Sequence, residues 1–106
     1  MTKVVFTQPA EYDLTDIEYY IFFELENPQA SDRIVDGIVE TIKSLTTFPT
    51  GYPLIRDTLL KNIGVRMTYF ENYNIFYIYN EIEDVIYVIR ILYNRAGWKN
   101  ILHKQQ

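Results

Sequence analysis

The chain has no cysteine. That excludes a disulfide framework, a thiolate nucleophile and a thiolate metal site, and it suits a reducing cytoplasm. Its one histidine, His103, leaves no histidine pair for a metal, so no metal and no cofactor are expected. There is no glycine-rich phosphate loop and no nucleophile elbow. No apolar run approaches the ~20 residues that span a bilayer. Residues 1–10 lack the long apolar core of a secretory signal, so no membrane partner is expected. Basic residues are also short: ten Lys and Arg stand against fourteen Asp and Glu, a net charge of −4. Such a balance argues against a protein that simply coats nucleic acid.

What is present is a compact amount of apolar chain. The 106 residues fit one domain, 1–106, and 48% of them are hydrophobic, enough for a core. Ten are tyrosines, whose apolar ring and polar tip serve half-buried surfaces; completing a small core accounts for most of them. The charge is unevenly spread. Residues 1–63 carry five bases and ten acids, and residues 64–106 carry five bases and four acids. The acid lies on the segments with helical spacing, where solvation explains it. The C-terminal part is left as the side suited to an anion.

Residues 64–95 read as three strands on short links. Val65–Phe70 alternates, with Val65, Met67 and Tyr69 on one face and Arg66, Thr68 and Phe70 on the other. Tyr73–Asn80 and residues 85–94 are rich in aromatic and β-branched residues, which fit a pleated surface. Glu71-Asn72 and the polar stretch 80–84 supply the turns, so the three strands are antiparallel. Both faces are apolar. One face is expected to pack on helices and the other to be partly covered or offered to a partner.

Upstream, Lys3–Phe6 reads as an edge strand. Thr7 caps a helix over 9–24 with Pro9 in its first turn, and Leu14, Ile17, Ile21 and Leu25 form its apolar stripe. Asp13, Asp16, Glu18 and Glu24 are expected to point away from it. Asn27 caps a second helix opened by Pro28, with Ile34, Ile38, Ile42 and Leu45 as its stripe, ended by Phe48-Pro49. Two helices so closely joined form an antiparallel hairpin that must bury its shared face on the sheet. The linker 50–62 is pinned by Leu54, Ile55, Leu59 and Leu60. Residues 98–102 form a short terminal helix with Trp98, Ile101 and Leu102 on one side, and Lys104-Gln105-Gln106 is expected to fray. The fold class is α+β, order β-α-α-β-β-β, with a helical hairpin on one face of a small antiparallel sheet and a short C-terminal helix.

The chemistry left to consider is cationic and aromatic: Arg66, Arg90, Tyr93, Arg95, Trp98 and Lys99. Guanidinium groups offer planar donors suited to phosphate. If the last strand stays regular, Tyr93 and Arg95 share a face. Arg90 lies among Ile86, Val88 and Leu92 and reads as a tie between sheet and helices. Arg66 and Arg95 suit a phosphate, a partner or a surface ion pair. Trp98 reads first as an anchor for the terminal helix.

In order and spacing the chain resembles the RelE/ParE superfamily of bacterial toxins from type II toxin–antitoxin systems. The resemblance is carried by Asn27-Pro28-Gln29-Ala30, Leu45-Thr46-Thr47-Phe48-Pro49-Thr50-Gly51, Gly64-Val65-Arg66, Asn72-Tyr73-Asn74-Ile75-Phe76-Tyr77, and Arg90-Ile91-Leu92-Tyr93-Asn94-Arg95 followed by Trp98 and Ile101-Leu102. It implies a growth-arresting toxin in the cytoplasm, held inactive by a cognate antitoxin. Two mechanisms follow from it. A RelE-like member is a metal-independent endoribonuclease acting on mRNA in the translating ribosome, for which Arg95, Arg66 and Tyr93 are the candidate catalytic residues. A ParE-like member inhibits DNA gyrase without cutting RNA. Asn74 stands where RelE-like enzymes carry another arginine, and Ile101 or Leu102 where they carry a tyrosine. These departures, the acidic balance and the long hairpin favour the ParE-like reading. A non-toxic antitoxin-binding module is the third alternative. Arg66, Tyr73, Tyr93, Arg95, Trp98 and Lys99 are the candidate contacts to target or antitoxin.

Overall fold

The computed structural model describes residues 1–104. In chain order it contains β1 (Lys3–Phe6), α1 (Gln8–Tyr19) prolonged by a π-helical turn (Tyr20–Glu24), α2 (Pro28–Ser44), α3 (Thr58–Asn62), β2 (Val65–Phe70), β3 (Tyr73–Asn80), β4 (Val85–Tyr93) and α4 (Trp98–His103). This is the expected α+β order, with a turn of helix in the linker.

The helix starts follow from their caps. Thr7 Oγ1 accepts from Ala10 N and donates to the Val88 carbonyl, so it fastens α1 to the sheet as well as capping it. Asn27 Oδ1 accepts from Ala30 N at 3.1 Å, with Pro28 at the first helical position. The hairpin is then locked by Ser31, which is buried and donates to the Glu18 carbonyl at 3.0 Å. Gly37 lets α2 come down onto the Phe70 ring; a Cβ there would lie 2.1 Å from Phe70 Cζ.

The sheet has the order β1-β4-β3-β2. β2, β3 and β4 are antiparallel neighbours, but β1 joins β4 in parallel, from Lys3 opposite Val85 to Phe6 opposite Val88. The sheet is therefore mixed where an antiparallel one is expected. Short links force direction only on the strands they join. β1 is separated from the rest by the helical layer, long enough for a crossover.

Nor is β4 regular. Phe76 pairs with Arg90 and Tyr77 with Val88, which leaves Ile89 as the extra residue of a bulge. Beyond it the facing of side chains shifts. Ile86, Val88 and Ile91 pack with the helical layer, while Ile89 and Leu92 belong to the opposite face. The helix-side core is built from Ala10, Ile21, Ile34, Ile38, Ile42, Ile75, Val88 and Ile91. On the other side Leu60 of α3 and Leu102 of α4 cover Val65, Phe76 and Leu92. The second face is thus roofed by the two short helices.

Several local expectations are corrected. Asp13 does not point away: its carboxylate turns inward to Arg90 and the backbone of β4. Leu25 leaves the apolar stripe and is exposed, because the wider turn, with Leu25 N bonded to Tyr20 O, shifts it around the helix. Leu59 is exposed and Leu60 alone of that pair is buried. α2 ends at Ser44, before Phe48, and β4 at Tyr93. Of the tail expected to fray, Lys104 caps α4, and Gln105 and Gln106 lie outside the described residues.

Candidate functional site

The π turn at the end of α1, the first turns of α2, the β2–β3 turn and the last residue of β4 converge around a cleft of about 670 Å³. Asp16, Ile17, Tyr20, Ile21 and Leu25 line it from the first element. Ala30, Arg33 and Ile34 come from α2, Glu71, Asn72 and Tyr73 from the turn, and Tyr93 from β4. The floor is aliphatic and the walls are tyrosines and carboxylates.

Each wall has a local cause. Glu71 takes the left-handed conformation, φ 49°, that closes the tight turn, and its carboxylate pairs with the Arg33 guanidinium. Asn94 N donates to the Asn72 carbonyl at 2.7 Å, which ties the end of β4 to the turn. Tyr73 and Tyr93 are cross-strand partners whose rings meet edge to face, centroids 5.7 Å apart. Burial pushes the Tyr73 phenol above the ordinary tyrosine range, with Tyr93, Tyr20 and Glu71 adding to it, so it remains a neutral hydrogen-bond donor. Tyr93 stays 45% exposed.

An ion pair joins α1 to β4. Arg90 Nε and Nη2 donate to Asp13 Oδ2 and Oδ1 at 2.6 and 2.8 Å, and Ile91 N donates to Oδ2 at 2.9 Å. The hydrogen bonds to Asp13 raise the Arg90 pKa against the opposing effect of burial. Arg90 is therefore the sheet-to-helix tie expected of it.

Among the candidate residues, Tyr73 and Tyr93 come together in the cleft. Arg95 sits exposed in the turn after β4, with no hydrogen-bond or ion-pair partner among the described residues. Because β4 has ended, Tyr93 and Arg95 do not share a strand face. Arg66 does not join them. It lies at the far end of β2, opposite Tyr77, and its Nη1 donates to the carbonyls of Thr50 and Tyr52, holding the linker down. Phe70 lies four positions further on, roughly 13 Å along a strand. Trp98 packs on Phe76, ring centroids 5.5 Å apart, on the second face, with Lys99 Nζ 5.7 Å from the indole centroid. His103 bonds Asp57 at 3.0 Å, in the contact between α4 and α3.

The cleft's other residues were not singled out by sequence reasoning. Tyr20 belongs to a run in which Tyr19, Tyr20, Ile21, Phe22 and Phe23 follow one another, and only Ile21 of the five is buried; Leu25 follows beyond Glu24. Five consecutive apolar residues cannot all face one side of a helix, and that was the available signal. Chemically, the cleft can hold apolar side chains beside basic ones. Among the described residues that line it the one cation, Arg33, is already paired with Glu71, which leaves none spare for a phosphate. No group of three or more acidic, histidine or cysteine side chains fit for a metal ion occurs among the described residues, and none of their helices is long and apolar enough to cross a membrane.

Residues 4–98 match the family described as the ParE toxin of type II toxin–antitoxin system, parDE. A chain of the chromosomal ParDE toxin–antitoxin system from P. aeruginosa is similar in structure, with TM-score 0.68 and 22% identity over 88% of this chain and 96% of that one. A chain of a RelBE toxin–antitoxin complex from Mycobacterium tuberculosis gives TM-score 0.64 and 20% identity, over 87% of this chain and 96% of that one. No curated protein sequence matches. The structural likenesses establish the fold, and the family match covers nearly the whole chain.

Proposed function

Since the chain belongs to the ParE toxin family of type II toxin–antitoxin systems, we propose that it arrests growth in the cytoplasm by binding a protein target, DNA gyrase, and that a cognate antitoxin neutralises it by laying a segment into the cleft between hairpin and sheet. The observation that carries this reading is the charge of the cleft. Its tyrosines stand beside Asp16, which has no cation paired with it among the described residues, and beside Glu71, which takes up Arg33. RNA cleavage needs cations gathered at one phosphate. A phosphate about 4 Å from an unpaired carboxylate meets a repulsion of ~4 kcal/mol at an effective dielectric of ~20. A basic, apolar antitoxin segment meets attraction in the same place.

A second reading keeps one observation in its favour. Arg95 is exposed, two residues after Tyr93 in the chain, and has no hydrogen-bond or ion-pair partner among the described residues, which leaves its guanidinium free for a phosphate as a RelE-like mRNA endoribonuclease requires. Expression in a growing bacterium separates the two. The ParE-like reading expects growth arrest with translated mRNA intact, undiminished by Arg95→Ala, and rescue by the antitoxin. Ribosome-dependent mRNA cleavage that disappears in Arg95→Ala contradicts it and installs the second reading.

A further inference from the structure

The end of the helical hairpin carries an aromatic surface that the cleft does not use. Tyr19, Phe22 and Phe23 are 59%, 42% and 57% exposed. Their rings are already gathered, with Phe23 4.6 Å from Tyr19 and 4.8 Å from Phe22 between centroids. None of the three lines the cleft. Phe22 and Phe23 stand on the π-helical turn and Tyr19 is the residue just before it; such a turn is a local departure from α-helix that recurs at functional sites. Glu26, φ 50°, closes the tip in the left-handed region without being glycine. The borders are acidic: Glu18, Glu24 and Glu26 are all exposed. No lysine or arginine occurs between Lys3 and Arg33, and Arg33 and Arg90 are engaged by Glu71 and Asp13.

From this we infer that the hairpin tip is the surface by which the toxin engages its target, and that the recipient is an apolar pocket bordered by lysine or arginine on a folded protein. The shape argument is that a projecting aromatic knob is buried only by a preformed hollow, whereas a flexible segment fills a concavity such as the cleft. The charge argument selects among occupants. A nucleic acid or an anionic membrane is repelled by the acidic border, and so is a second copy of this chain, which brings the same acids. A protein pocket with a basic rim gains from both the rings and the carboxylates.

The inference rests on the toxin having a protein target, and the test reads it apart from the identity of that target. Phe22→Ser/Phe23→Ser and Glu18→Lys/Glu24→Lys are expressed beside the wild type, with folding checked by circular dichroism. Tyr12→Ser, on α1 and outside the tip, serves as the control. Both tip variants are expected to lose growth arrest, with an expression level for half-arrest raised about tenfold or more, and Tyr12→Ser to keep it. Purified gyrase holoenzyme then serves as the probe, and its half-inhibitory toxin concentration shifts in parallel. Loss of arrest in the tip variants without any effect of wild type on gyrase supports the tip and overturns gyrase alone. Folded tip variants as toxic as wild type overturn the inference. So does a dimer in solution that dissociates in Phe22→Ser/Phe23→Ser, since a second copy is then the occupant.

Discussion

A single carboxylate does much of the work of joining the two layers. Asp13 Oδ2 accepts from both Arg90 Nε and Ile91 N, and the pair is only 11% and 19% exposed. Removing one partner of a largely buried pair strands the other, at several kcal/mol. Asp13→Ala is expected to lower unfolding free energy in urea by about 3 kcal/mol, and Asp13→Ala/Arg90→Ala by less than the sum of the single losses. Additive losses mean that the two do not act together. Arg90 is legible in the sequence as a tie, being a charge amid apolar neighbours. Its partner is legible only in hindsight: Asp13 sits between Ala10 and Ile17 on the stripe that faces the sheet, and acidity alone made it look solvated. Tyr77 is the opposite case. It is fully buried, its hydroxyl has no partner among the described residues, and burial pushes its phenol up to about 12. The folded state therefore holds this proton more tightly than the unfolded chain, whose tyrosines titrate near ~10. Its contribution is complete below about pH 10 and falls as the pH rises toward 12. Tyr77→Phe is expected to be neutral or stabilising by up to about 1 kcal/mol at pH 7. Above pH 10 it keeps only the shallower loss from Tyr73, Tyr79 and Tyr87, whose phenols are also raised. A destabilised variant with an unchanged alkaline slope contradicts this.

Among the elements, those fixed by local chemistry are the ones the sequence discloses. Caps at Thr7 and Asn27, strands β2 and β3, and the turn at Glu71 need only their own few residues. The bulge at Ile89 and the π turn after Tyr19 need a second element to make sense of them. The bulge shifts the facing of β4 between Val88 and Ile91, and in the π turn only Ile21 of Tyr20–Glu24 is buried. Neither leaves a period in the sequence to be read. Packing between elements yields its own prediction at Gly37. Alanine gains up to about 1 kcal/mol of helix propensity there. A Cβ 2.1 Å from Phe70 Cζ forces the ring or the helix aside, and overpacking of this kind costs about 1 to 3 kcal/mol. Gly37→Ala is therefore expected to lower the melting temperature, and Phe70→Leu in the same chain to recover part of the loss. A raised melting temperature in Gly37→Ala shows that the ring moves freely.

At the scale of the whole molecule, the sheet is covered on both faces, by the hairpin on one and by α3 and α4 on the other. What remains for partners is the cleft and the hairpin tip, both bordered by acid. In the sequence the helical half is acidic and reads as solvated surface, while the basic C-terminal part reads as the functional side. The fold shows why that reading divides the candidate residues: Arg66 holds the linker, Trp98 and Lys99 belong to the second face, and only Tyr73 and Tyr93 reach the cleft. Contacts between distant strands set this distribution, and no spacing in the sequence encodes it. On the proposed function the toxin acts by recognising a protein. Supercoiling of relaxed plasmid by purified gyrase, with this protein added alone and then with its antitoxin, tests that most directly. Inhibition near stoichiometric toxin, relieved by the antitoxin, is the predicted result; undisturbed supercoiling at large toxin excess contradicts it.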